Sequence, residues 1–439
     1  MRDLRFWWFC LALLPWCALG QTGPAEDTIK SAQKAYSQGH YREAEAQYSR
    51  AAAEAESEGP TAPRLARVLN NLGVLYQREA KYDEAELVLK RALAIWEKQA
   101  DPQPLELATT LNNLASLYTY RSRYTEAEPL YRQCLALREK SLGPEHVQVA
   151  NALNNLGEFY WEQGKLEKAE PLYQRAVAIK EKALGLEDPG LAASLNNLAT
   201  LYMGQGKYAE SESLYKRSLA VRQAAFGPEH PEVANSVNDL ASLYSLEGRY
   251  AEAEPMYLRS LSMAEKFLGP DHPDVACSLN NLAQLYFSQK KYADAEPLLR
   301  RALAIREKAL GPNSPSVAEI LDNLAGVLLV EYKEVSVDLL YRRALAIRKA
   351  VFGPESPQVL TSLSNLAFAY TKEGKLPEAE QTYSDALAII AKQLRPDIPT
   401  LAAVYLNLAN LYTREGKHKK ARKMSEKAKN LRDHQESSS

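Results

Sequence analysis

Leu279-Asn280-Asn281-Leu282-Ala283-Gln284-Leu285-Tyr286 decides the fold of this chain, because the same octet returns along nearly its whole length. It reads LNNLASLY at Leu111–Tyr118, LNNLGEFY at Leu153–Tyr160, LNNLATLY at Leu195–Tyr202 and VNDLASLY at Val237–Tyr244. The second polar position is held by Asn71, Asn113, Asn155, Asn197, Asp239, Asn281, Asn323, Asn365 and Asn407, each 42 residues after the last. A fixed period of this size marks a stacked-repeat array, which grows by one unit at a time. The length of 439 residues is therefore no count of separate domains.

Each unit predicts two helices. Leu279, Leu282, Ala283 and Tyr286 are spaced i, i+3, i+4, i+7, one apolar stripe on a first helix. Lys290-Lys291-Tyr292 makes a turn, where sister units place Gly164-Lys165, Gly206-Lys207 and Gly248-Arg249. A second helix follows through Ala295, Leu299, Ala302, Leu303 and Ile305, and Gly311-Pro312 stops it. The next first helix opens at Ser314-Pro315, a capping side chain and then proline at the first helical position. Asp188-Pro189, His230-Pro231, His272-Pro273 and Ser356-Pro357 repeat that signal. Pro129, Pro171, Pro255 and Pro297 sit early in second helices and are expected to loosen or bend them. No stretch carries a β-strand pattern. The expected fold is all-α, a superhelical solenoid of about ten stacked antiparallel helix pairs.

The ends and one joint depart from the pattern. An imperfect first unit carries Tyr36, Gly39, Tyr41, Ala44 and Tyr48. Near residues 320–345 the turn glycine is missing, Glu334 replaces the usual tyrosine and Val337 overfills an alanine site, which predicts a distorted, weak joint. Residues 417–432 read as a basic capping helix whose polar outer face keeps the array soluble. Residues 433–439 read as a disordered tail, and 21–27 as a polar leader ahead of an array spanning 28–432.

The octet with its partners, Leu282-Ala283, Tyr286, Tyr292, Ala295, Leu299 and Ala302, resembles the tetratricopeptide repeat in its 42-residue, kinesin-light-chain form. The resemblance implies helix pairs wound into a right-handed superhelix whose concave face binds peptides or partner proteins. It covers residues from about 30 to 430. The heptad-rich coiled coil of light chains is absent, so only the array carries over, and not motor function.

Composition narrows the function. A net charge of −1 offers no bulk attraction to nucleic acid or anionic membrane. Arg2 and Arg5 precede an apolar run from Phe6 to Leu19, and Ala18 and Gly20 place small residues before a cut ahead of Gln21. Residues 1–20 therefore read as a cleavable export signal, and the protein as secreted or periplasmic. Left uncleaved, the same run would tether a membrane-anchored assembly factor. Cys134 and Cys277 lie too far apart along the array to form a disulfide. His146, His230 and His272 recur at one loop position, which reads as cap duty and not as a metal site. No phosphate loop, nucleophile elbow or HExxH motif occurs, so no catalytic residue, cofactor or small-molecule substrate is expected. The Glu-Ala-Glu pairs, repeating with the array, read as solvated faces.

A helical wheel sets Cys277, Asn280, Gln284 and Ser288 roughly 100–180° from the apolar stripe. By the resemblance, that polar stripe faces the groove. Asn70, Asn112, Asn154, Asn196, Asn238 and Asn280 form a constant column there, giving way to Asp322, Ser364 and Leu406. Ser116, Glu158, Thr200, Ser242 and Gln284 vary at the next position, and Arg78, Tyr120, Glu162, Gly204, Leu246 and Ser288 beyond it. Carboxamides both donate and accept, so the column could pair with an extended peptide backbone while the variable neighbours read its side chains. It could equally tie adjacent helices together. For the neighbouring Asn281 column the helix-tying role is the expectation. Six units at roughly 8–10 Å each offer a path of about 50 Å, enough for about 15 extended residues.

Overall fold

The computed structural model describes residues 24–99, 103–331, 337–392 and 398–436. Among them are 20 α-helices and no strand. Residues 1–23, which include the export signal, lie outside the described residues, as do 332–336 in the degenerate joint and 437–439 in the tail.

The helices fall into two compact units. The first pairs α1 (Pro24–Ser37) with α2 (Tyr41–Glu56), α3 (Pro63–Arg78) with α4 (Tyr82–Glu97), and α5 (Pro104–Tyr120) with α6 (Tyr124–Leu142). It continues with α7 (Val147–Glu162) and α8 (Leu166–Leu184), then α9 (Ala192–Gly204) and α10 (Tyr208–Phe226). α11 (Pro231–Leu246), α12 (Tyr250–Leu268), α13 (Pro273–Ser288) and the end of α14 (Tyr292–Leu310) complete it. The second unit holds the start of α14, then α15 (Pro315–Glu331) with α16 (Asp338–Phe352) and α17 (Pro357–Glu373) with α18 (Leu376–Ala391). It ends in α19 (Ile398–Arg414) with α20 (His418–Glu436).

Local chemistry explains the boundaries. His146, His230 and His272 cap their helices as expected: each Nδ1 accepts the backbone N–H two residues on, at 3.1, 3.2 and 3.2 Å. Gly143 ends α6 at φ 86°, ψ 156°, backbone open only to glycine. The turns between paired helices need positive φ as well. Glycine supplies it at Gly164, Gly206 and Gly248, but Ala80, Ser122 and Lys290 adopt it with side chains, at φ 59°, 57° and 61°. Alanines at the helix crossings, Ala127, Ala169 and Ala253 among them, are fully buried and let the two helices of a unit approach closely.

The structure qualifies four expectations. Pro129, Pro171, Pro255 and Pro297 lie inside continuous second helices, each removing one ladder bond. Val337 is buried and stands just before α16, whose helix starts at Asp338; the joint ahead of it, 332–336, lies outside the described residues. Helix begins at Pro24, inside the stretch read as leader, and α20 runs to Glu436, into the stretch read as tail. The Glu-Ala-Glu pairs are not simply solvated. Their second carboxylates, Glu86, Glu128 and Glu254, and Glu212 of the variant Glu210-Ser211-Glu212, accept the hydroxyls of Tyr118, Tyr160, Tyr286 and Tyr244 in the following repeat, at 2.8–3.2 Å. Arg123 and Arg249 add ion pairs to Glu86 and Glu212 and lie over the rings of Tyr118 and Tyr244.

In the first unit the curvature is set by the first helices. α3, α5, α7, α9, α11 and α13 each pack directly on the next, so they line the inner side of the bend. The bend is tight enough that the α1–α2 turn reaches α13. A Cβ on Gly39 would stand 2.7 Å from Pro273 Cδ. Arg78 Nη2 donates to Asp274 Oδ1 at 3.1 Å, and Leu310 packs on the cluster of Ile29, Ala32 and Ala35.

Candidate functional site

The two asparagine columns interlock along the inner face. Asn113 Nδ2 donates to Asn70 Oδ1 at 3.0 Å, Asn155 to Asn112 at 2.7 Å, and Asn281 to Asn238 at 2.9 Å. At Asp239, which can only accept when ionised, the ladder runs the other way, and Asn196 Nδ2 donates to its Oδ2 at 2.6 Å. Asn154 turns to Ser194 Oγ at 2.7 Å. Asn70, Asn154, Asn196 and Asn280 are buried; Asn112 and Asn238 are half-buried. The column thus spends much of its hydrogen-bonding capacity joining successive first helices.

The variable column behaves differently. Thr200 Oγ1 lies 2.7 Å from Tyr215 Oη, and Tyr257 Oη donates to Ser242 Oγ at 2.9 Å. These pairs tie the hydroxyl of a first helix to the tyrosine of its own second helix. Ser116 and Thr119 stand likewise beside Tyr131. Gln284 is half-buried at its expected place on α13. In the α7–α8 unit the hydroxyl is replaced by Glu158, and the partner tyrosine is Tyr173, whose ring packs against the backbone at Gly157. Glu158 makes no hydrogen bond or ion pair among the described residues.

A cleft opens beside Glu158. Its walls are Ser116, Thr119 and Tyr120 of α5, Tyr131 of α6, and Glu158, Phe159 and Glu162 of α7. Enclosure by protein pushes the Glu158 carboxyl up to about 7. The Tyr120 and Tyr173 hydroxyls are also raised, chiefly by burial and further by the carboxylates of Glu158 and Glu162. Tyr120 stacks on Tyr82 at 6.2 Å between ring centres, and Phe159 packs on Tyr131 at 5.5 Å. Ser116 and Glu158, read from the sequence as groove positions, meet here with Tyr120 and Glu162. Phe159, Thr119 and Tyr131 were not anticipated, because Tyr131 belongs to the apolar stripe of a second helix and the other two fall outside the polar stripe.

A second series also escaped sequence reading: Arg138, Lys180, Arg222, Arg306 and Arg348 recur at the 42-residue period and are all buried. Arg138 and Lys180 donate to the carbonyls of Gln148 and Gly190 at the next first helix, and Arg222 and Arg348 to Ser236 and Ser362. Arg306 reaches the Cys277 sulfur, and Arg348 also pairs with Asp322. These cations are consumed in joining repeats. Cys134 is buried and Cys277 half-buried, both as free thiols. Among the described residues no cluster of metal-ligating side chains occurs, and no helix is long and apolar enough to cross a membrane.

An array of helix pairs whose first helices bond from repeat to repeat is the architecture of a protein–protein interaction scaffold. The tetratricopeptide repeat model matches residues 31–98, 106–182, 190–266, 237–308, 274–331, 340–392 and 358–434. The chain belongs to the tetratricopeptide repeat family. Among solved structures it is similar to a Rap protein complexed with Competence and Sporulation Factor, at 14% identity and a TM-score of 0.53, over 85% of this chain and 98% of that one. It is also similar to BtubC (BKLC) from P. vanneervenii, at 23% identity and a TM-score of 0.43, over 56% and 94% of the two chains. A Podosopora anserina putative kinesin light chain with nearly identical TPR-like repeats matches at 29% identity and a TM-score of 0.39, over 47% and 97%. No curated protein matches.

Proposed function

We propose that the inner face of the first unit binds an extended segment of a partner protein, without catalysis, after export of the chain to the periplasm or the outside of the cell. The carrying observation is the cleft at Glu158, where one variable position departs from the hydroxyl–tyrosine pairing of its neighbours and leaves a polar group for a ligand. Ser116, Ser242 and Gln284, half-buried along the same face, supply further side-chain contacts, while Thr200 stays buried against Tyr215. The asparagine column contributes at its edges, at the half-buried Asn112 and Asn238.

Photo-crosslinking tests this reading in the native cell. A benzophenone side chain at Ser116 or Ser242 should capture a partner, whereas one at Leu87, which projects outward with 72% exposure, should not. Equal capture from both faces would defeat the inner-face assignment. Amino-terminal sequencing of the same material should begin at Gln21; an intact Met1 would point to the tethered alternative.

A further inference from the structure

We propose that the Glu158 cleft is a specificity pocket for a cationic side chain, an arginine carried by the bound partner segment. This rests on the reading that the inner face of the first unit takes such a segment, and it names the chemistry the segment must bring.

The flanking hydroxyls of Thr200 and Ser242 are satisfied by tyrosines of their own repeats. Glu158 stands where those hydroxyls stand, and it has no such bond. Glu162 lies one helical turn further on the same wall. Tyr131 and Phe159 are buried and only floor the cleft, so a planar guanidinium would donate to Glu158 while lying against the half-buried Tyr120. A neutral or anionic side chain would cover the half-buried carboxylate without pairing it, which is costly.

The charged and titratable groups facing Glu158 are Glu162 on α7, Tyr120 on α5, Tyr131 on α6 and Tyr173 on α8. Arg78 on α3 acts on Tyr120 of the cleft, and it is engaged with Asp274 and Tyr41. A ligand cation therefore meets net negative charge. Because it selects the ionised carboxylate, and that carboxyl titrates near 7, binding releases a proton and tightens as pH rises through neutrality.

Two fluorescein-labelled peptides of about 15 glycine, alanine and serine residues serve as probes, one with three arginines and one with citrulline at the same places. Anisotropy titration of the full chain should show the arginine peptide binding about tenfold tighter or better, a margin expected of a charge-assisted contact. The margin should widen from pH 6 to pH 8. Glu158→Gln, nearly isosteric and free of the enclosed charge, should fold and abolish both the margin and its pH dependence. Glu187→Gln, on an exposed loop, should change neither. Equal binding of the two peptides, a margin that survives in Glu158→Gln, or no binding of either peptide overturns the pocket. The inner-face reading is judged separately, since crosslinking from Ser116 would still find a partner if that reading is right.

Discussion

Two acids on the inner face hold their protons unusually well. Burial lifts the Asp239 carboxyl to about 7, outweighing the nearby Arg222 guanidinium and the hydrogen bond from Asn238. Enclosure does the same to Glu158. An acid whose folded pKa exceeds its unfolded value destabilises the fold once pH passes the unfolded value, so each costs stability progressively between about pH 4 and 7. Asp239→Asn and Glu158→Gln should therefore each stabilise the protein by about 1–3 kcal/mol at pH 8. Urea denaturation across pH should show the gain shrinking as pH falls toward 4. A gain that is flat with pH would mean that these carboxyls titrate normally. At position 239 the replacement amide can still accept from Asn196, and it restores the residue that the other repeats use.

Turns between paired helices store avoidable strain. Ala80, Ser122 and Lys290 occupy the left-handed region where Gly164, Gly206 and Gly248 sit in sister units. A side chain there costs about 1–2 kcal/mol, part of which glycine returns through greater freedom in the unfolded chain. Ala80→Gly, Ser122→Gly and Lys290→Gly should each add about 0.5–1 kcal/mol. Differential scanning calorimetry of the triple variant should find a higher midpoint; a lower one would show that the side chains contribute contacts outweighing the strain.

In the first unit as a whole, the α1–α2 turn meets α13 through a small contact. Gly39 abuts His272 and Pro273, and Arg78 pairs with Asp274, both partners being partly exposed. Gly39→Val adds a branched side chain where a Cβ alone is too close and where φ is +74°. Asp274→Ala removes the ion pair, worth about 0.5–1 kcal/mol. Both variants should release this contact and speed amide exchange in α1 and α2, while α5 to α8 keep their protection. Unchanged exchange in α1 and α2 would mean that packing on α3 alone holds the first helix pair.

The sequence by itself determined the period, the helix pairs, their capping histidines and the turn glycines, because each depends on residues within a few positions of one another. It also placed Ser116, Glu158, Tyr120 and Glu162 on one helical face, since the wheel is a local property. Only the tertiary structure decided which of those polar residues are already spoken for. The bonds of Asn113 to Asn70 and of Tyr118 to Glu86 join neighbouring repeats, and side-chain direction across such a gap follows from packing and not from spacing. Glu158 reads in the sequence as one more variable residue. Its isolation emerges only when Thr200 and Ser242 are seen bonded to the tyrosines of their own repeats while Glu158 makes no such bond to Tyr173. The approach of Gly39 to Pro273 is still less local, because it sums the small rotations between all the repeats that lie between them.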